Sequence, residues 1–188
     1  MATTAETVFS EFFLNRLGIK PAGAEDITVI DCVGSLEEEM ETRTVTKSCR
    51  GRVKKSRTKG SSGTLKITAH MPYQLYLAVF GMDGDKYATG VYAYGAETMH
   101  KECLITAEVF DEDDNVQYRA YPCATPTTKK VAINDDDTEV AMVELEFTIT
   151  ADENEEIVYQ ALKEDVSAEI ASAWMSDWAQ TLIAKETG

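Results

Sequence analysis

The longest clean alternation of apolar and polar residues lies at 140–150, VAMVELEFTIT. Val143, Leu145, Phe147 and Ile149 fall on one face, with Glu144, Glu146, Thr148 and Thr150 on the other. A period of two belongs to a half-buried strand, so this segment predicts a strand that covers a core and presents acid outward. DITVIDCV (26–33) alternates Ile27, Val29 and Asp31 with Thr28, Ile30 and Cys32, and its β-branched content predicts another strand. KECLITAEVF (101–110) and NVQYRAYPC (115–123) predict a β-hairpin around the acidic turn DEDD at 111–114. TPTTKK (125–130) reads as a loop, VAI (131–133) as a short strand, and NDDDTE (134–139) as a second acidic turn.

Helical spacing is confined to three places. At 3–17, Val8, Phe9, Phe12, Phe13 and Leu17 recur at helical intervals behind a Thr3–Glu6 capping box, with Gly18 as a left-handed cap and Pro21 as a stop. At 72–81, Pro72 opens a short helix with Leu75, Tyr76, Val79 and Phe80 on one face, and Gly81 ends it. At 165–184, Val166, Ile170, Trp174, Trp178 and Leu182 fall every four residues behind Asp165 as N-cap. That C-terminal helix has two candidate seats, its own core or a neighbouring subunit.

Between SLEEEMET (35–42), an acidic strand end or turn, and TLKITAH (64–70), a strand with Leu65, Ile67 and Ala69 on one face, the pattern changes. Residues 42–49 are Thr-rich and extended. The segment 50–63, CRGRVKKSRTKGSSG with its leading Cys49, carries glycines and a Ser pair and predicts a hairpin connection of roughly fourteen residues, far above the usual two to five. The whole arm spans 43–63, and its tip is expected to be mobile in a free monomer.

Charge makes this arm the centre of the problem. The chain has 18 basic and 33 acidic residues among 188, a formal net charge of −15. Arg43, Lys47, Arg50, Arg52, Lys54, Lys55, Arg57 and Lys59 lie in one acid-free stretch. Three readings compete: a solvated loop, a nucleic-acid patch, or an arm docking on the acidic surface of another copy. No aromatic residue interrupts the charges to stack on bases, and the acidic body opposes phosphate binding. A strongly acidic chain that self-assembles needs counter-charge, and a basic arm supplies it.

The remaining chemistry is sparse. The apolar fraction, 44 %, is that of one globular domain. No run reaches the roughly 18 apolar residues of a membrane span, and the N-terminus lacks the basic and apolar regions of a secretory signal. Cys32, Cys49, Cys103 and Cys123 are scattered, with no close pair for zinc, and read as free thiols. His70 and His100 have no nucleophile beside them in sequence. Nucleophile-elbow, phosphate-loop and zinc-protease motifs are absent. Asp83 and Asp85 lack the closing Glu of a calcium loop, and the Asp runs at 111–114 and 135–137 read as solvated turns. No catalytic residue, cofactor or metal is expected.

TVIDCVGSLEEEMETRTVTKSCRG, the basic loop, GTLKITAHMPYQLYLAVFGM, VYAYG, EVFDEDDNVQYRAYPCA, and VELEFTITAD before a Trp-bearing end follow one another from about residue 28 to 178. In that order they resemble the major tail tube protein of long-tailed, non-contractile bacteriophages. The resemblance implies a mainly β (α+β) fold, a β-sandwich or half-barrel with a flanking short α-helix, a long hairpin arm and terminal helices. It also implies hexameric rings stacked into a tube, with tape measure, tail terminator and distal tail proteins as partners and double-stranded DNA in transit, not specifically bound. The setting would be a virion tail assembled in bacterial cytoplasm, without membrane insertion. Carried onto this chain, Arg50, Arg52, Lys54, Lys55, Arg57 and Lys59 form the inter-subunit arm, while Glu144 and Glu146 face the lumen. A tube of a contractile tail or a phage-derived bacteriocin fits the same resemblance. From the residues alone, a small nucleic-acid-binding module using 43–59 and a divalent-ion hydrolase using Asp135–Asp137 remain as competing classes.

Overall fold

The computed structural model describes residues 9–49, 52–82, 84, 87–131 and 140–184. The chain is mainly β. In order it runs β1 (Phe13–Pro21), β2 (Thr28–Ile30), β3 (Val33–Cys49), β4 (Arg52–Ala69), α1 (Tyr73–Val79), β5 (Cys103–Phe110), β6 (Val116–Lys129), β7 (Val143–Thr150), β8 (Tyr159–Leu162) and α2 (Ala168–Ala173), with a 3-10 turn at Gln180–Leu182. Among the described residues the eight strands form one antiparallel sheet, ordered β2-β1-β5-β6-β7-β4-β3, with β8 pairing β6 off this path.

The sheet curls. Leu17 and Ile19 of β1, Leu65 and Ile67 of β4, Ile105 of β5, Tyr121 of β6 and Leu145, Phe147 and Ile149 of β7 share one buried core. α1 closes it with Leu75, Val79 and Phe80. The alternation foreseen at 140–150 holds from Val143: Leu145, Phe147 and Ile149 are buried, whereas Glu144 and Thr150 are exposed. The hairpin at 101–123 and the short helix at 72–81 are likewise present, although β6 continues through TPTTK, expected as a loop. Pro126 fits there because the β6–β7 register shifts between Pro126 and Thr128. β8 was not foreseen.

A second core lies on the other face of β5 and β6. Ile27, Tyr118 and Ala120 pack there with Trp174, Met175 and Trp178. Trp174 stacks on Tyr118 at 5.5 Å and its Nε1 donates to the Arg119 carbonyl at 3.0 Å. The C-terminal stripe therefore sits on its own subunit. It is not the helix expected over 165–184. Ser167, not Asp165, is the cap, accepting from the Ile170 amide, and α2 stops at Ala173. A turn follows at 174–176, and both indoles pack on the sheet side, Trp174 on Tyr118 and Trp178 beside Tyr159.

The helix expected at 3–17 is also overturned where it falls on described residues; 3–8 lie outside them. Residues 9–12 have no regular structure and 13–21 form β1. A bulge between Leu14 and Arg16 sets Leu14 and Leu17 against the core and leaves Phe13, expected to share a helical face with Leu17, exposed. Gly18 is not a cap but a mid-strand residue. A Cβ on it would stand 2.3 Å from Thr106 Oγ1 and 2.6 Å from Ile27 Cγ2. Of VAI and NDDDTE, Val131 has no regular structure and 132–139 lie outside the described residues.

Candidate assembly interface

Of the connection of roughly fourteen residues expected at 50–63, Arg52 to Gly63 is instead ladder, and 50–51 lie outside the described residues. β3 and β4 run as a hairpin paired from Val33↔Ala69 to Cys49↔Arg52. The Thr-rich strand and the glycine–serine stretch both pair because strand backbone tolerates them once a partner satisfies their amides. The Thr44 and Thr58 hydroxyls bond across the ladder at 2.9 Å.

β4 pairs with β7 only from Gly63 to Ala69. From Glu41 and Ser62 outward, among the described residues, β3 and β4 have no ladder partner but each other, as a ribbon extending about 30 Å at strand rise. Thr42, Arg43, Thr44, Thr46 and Thr58 to Ser61 are exposed. Two-stranded ribbons are marginal in water on their own.

The register sorts the ribbon into two faces. Thr42, Thr44 and Thr46 pair with Gly60, Thr58 and Ser56; the intervening positions pair Arg43 with Lys59, Val45 with Arg57 and Lys47 with Lys55. Like charges stand directly opposite twice, an arrangement that costs stability without an anionic partner. Of the six arm residues foreseen, Arg50 lies outside the described residues. Lys55, Arg57 and Lys59 occupy alternate positions on the cationic face. Arg52 pairs with Cys49, and Lys54 is the extra residue where the register shifts between Lys47 and Ser48.

At the base of the ribbon the outer sheet face is acidic and hydroxyl-rich. Rows across β3, β4 and β7 read Glu37–Lys66–Glu146, Glu39–Thr64–Thr148 and Ser35–Thr68–Glu144. Glu144 is exposed and ion-paired with Lys130, whose hydrogen bond holds its carboxyl below the usual range. Glu146 is half-buried opposite Lys66. Both candidate lumen residues thus lie on one polar face, with Thr148 and Thr150.

The inner side of β3 carries a polar cluster that sequence reading did not find. Tyr121 donates to Glu38 Oε2 at 2.6 Å, and Arg119 Nη1 reaches the same oxygen at 3.1 Å. Arg119 also pairs with Glu11, ahead of β1. Burial, then the bond to Glu38, pushes the Tyr121 hydroxyl well above its ordinary value. This cluster spans the open seam between β1 and β3, a cleft of about 420 Å³ lined by Phe12, Phe13, Leu14, Gly34, Leu36 and Glu38 among others. Nothing in one sequence links Glu38 to Arg119.

No protein-family model matches the sequence, and no curated protein matches it. Solved structures do. A chain of the anti-feeding prophage baseplate aligns with a TM-score of 0.42 at 10 % identity, over 86 % of this chain and 97 % of that one. A chain of the anti-feeding prophage tube-terminating cap aligns with a TM-score of 0.38 at 13 % identity, over 86 % and 99 %.

His100 and Cys103 are held within the fold. His100 bonds the Tyr94 hydroxyl at 2.8 Å and the Pro126 carbonyl at 2.7 Å. Burial pushes the Cys103 thiol up to about 12, far from a thiolate at neutral pH. Among the described residues no three His, Cys, Asp or Glu side chains are grouped to hold a metal, and no helix is long and apolar enough to cross a membrane. Asp135–Asp137 lie outside the described residues.

Proposed function

We propose that this chain is a non-enzymatic structural subunit that self-assembles into a tail tube for genome delivery, with the polar β3-β4-β7 face toward the lumen. The observation that carries the reading is the ribbon. It leaves its own sheet with cations opposed on one face and, among the described residues, no ion pair to Arg43 or Lys59. A body with 33 acids is the complementary surface, and a second copy supplies it. The hydroxyl- and carboxylate-bearing sheet face suits a wall past which a polyanion slides, because carboxylates repel phosphates and offer no counter-ion exchange to hold them.

Negative-stain microscopy of concentrated protein tests this. Rings or rods are expected from the intact chain. A variant with 43–59 replaced by an Asn-Gly turn is expected to stay folded and monomeric. Monomers from the intact chain, or unaltered rods from the variant, would sink the reading.

The cationic ribbon face also favours a second reading, nucleic-acid binding. It requires a gel shift that weakens steeply with salt and is lost on Lys55→Glu with Arg57→Glu. No shift near physiological salt excludes it.

A further inference from the structure

We propose that the outer edge of β3 is a self-complementary docking strand, on which a second copy of this chain pairs antiparallel about a two-fold axis through Thr42. This goes beyond the tube reading and does not depend on it.

The edge is available. β3 ends the strand order, and among the described residues its only ladder partner is β4. Between Ser35 and Cys49 the strand itself is uninterrupted: the extra residues at the shifts near Glu41 and Lys47 belong to β4. Its odd-numbered positions therefore stay on one face throughout, and they read Glu37, Glu39, Glu41, then Arg43, Val45, Lys47. The series changes sign at Thr42.

That antisymmetry fixes a register. With two copies antiparallel and Thr42 opposite Thr42, Glu41 falls opposite Arg43, Glu39 opposite Val45, and Glu37 opposite Lys47. The two-fold repeats each match, so opposite charges meet four times and like charges never. A two-residue slip of the sum toward the base sets Glu41 against itself; the same slip toward the tip sets Arg43 against itself. Opposite-charge cross-strand pairs stabilise and like pairs oppose, so one register is selected and its neighbours are penalised, the usual way an isologous interface is specified.

At the base of β3 the incoming strand meets the seam that the Glu11–Arg119–Glu38 contacts span, and β1 must give way for it to pair there. In this register residues 43–49 of the partner lie beside Ser35–Glu41, of which Ser35, Leu36 and Glu38 line the cleft between β1 and β3. A strand seated there meets unpaired backbone groups of β3 on one side, as in strand addition to a sheet edge.

Cysteine cross-linking tests the axis. In a background with Cys32→Ser and Cys49→Ser, Thr42→Cys places two thiols across the two-fold, within the Cα separation a disulfide bridges. Mild oxidation is expected to give a covalent dimer from Thr42→Cys and none from Thr44→Cys. Sedimentation of the reduced parent is expected to show a concentration-dependent dimer. Glu41→Arg should weaken it at least tenfold, and Glu41→Arg with Arg43→Glu, which inverts the pair within each copy, should restore it. The double variant also guards against misreading a folding defect. A monomeric parent at high concentration overturns the proposal. So does a dimer in which Thr42→Cys fails to cross-link, or cross-links no better than Thr44→Cys. Head-to-tail rings would not bring Thr42 to itself, so loss of the cross-link with rods intact separates this interface from the tube.

Discussion

Arg43 and Lys59 stand directly opposite one another across the β3–β4 ribbon, and both are exposed. Two cations at cross-strand spacing repel, and the free subunit bears that cost.

Lys59→Glu should therefore stabilise the ribbon. Replacing a like pair by an opposite one is worth up to about 1 kcal/mol. Amide exchange at Thr44 and Thr58 should slow, and the urea midpoint should rise slightly. Faster exchange would mean that another charge already compensates the pair.

The seam cluster predicts an ordered mutational series. Arg119→Met leaves the Glu38 carboxylate with one partner and frees Glu11, at a cost of about 3 kcal/mol. Tyr121→Phe removes one charge-assisted bond and should cost about 1.5 kcal/mol. Chemical denaturation of both variants checks the order; equal losses would mean that Arg119 does not hold the seam.

Trp174→Ala removes the indole that stacks on Tyr118 and caps the second core, and should cost about 3–5 kcal/mol. Trp174→Phe keeps much of the contact but leaves the Arg119 carbonyl without its donor, so its loss should be smaller. Denaturation midpoints of the two variants read the difference.

Acid stability follows from three carboxyls. Burial pushes Glu108 up, but bonds from Arg16 and Asn15 outweigh it and hold it below its ordinary value. Asp111 is opposed by burial and lowered further by Asn115 and by backbone amides. Asp152 is opposed by burial and lowered by Tyr159, the Glu156 and Asn154 amides, and Gln180. Each is depressed, so its contribution is complete above the ordinary carboxylate range near pH 4 and is lost as pH falls through the folded value. The thermal midpoint should drop steeply below about pH 4. Asp152→Asn should flatten that slope, and an unchanged profile would remove Asp152 from the account.

On the tube proposal, in which Glu144 and Glu146 face a lumen, Glu144→Lys with Glu146→Lys should permit assembly but slow DNA passage. The new lysines would stand near Lys130 and opposite Lys66, so the denaturation midpoint of the variant is measured first, and a modest fall is expected. Normal ejection kinetics from particles carrying both changes would put the opposite face inward.

Much of the sheet was legible because its core strands keep a strict period. Leu145, Phe147 and Ile149 alternate without interruption, and so do Leu65, Ile67 and Ala69. Where a bulge breaks phase the reading failed: Phe13 and Leu17, four apart, look like one helical face, but the extra residue between Leu14 and Arg16 leaves Phe13 exposed and Leu17 buried. The Trp174–Trp178 spacing is helical and both rings do share one core, but the regular helix ends at Ala173, an end that the stripe of apolar positions does not mark. The hairpin arm at 43–63 and its first strand were read, but the pairing of its second limb was missed, for a third reason. Lys, Gly and Ser signal loops when counted by composition, but a long antiparallel pairing satisfies their backbone regardless. The candidate site was read as a collection of charges; its sorting into a cationic and a hydroxyl face is a property of register.

β4 belongs to the core at one end, with Leu65 and Ile67 buried, and to the ribbon at the other. That continuity has a mechanical consequence. A load applied to the ribbon tip along its axis passes straight into β4 and is resisted in shear by its whole ladder with β7, from Gly63↔Ile149 to Ala69↔Val143. Those bonds must yield together, whereas a load across the ribbon would open β3 from β4 one rung at a time. The molecule is stiff under tension along one direction and compliant across it, and anything that grips the ribbon lengthwise grips the core.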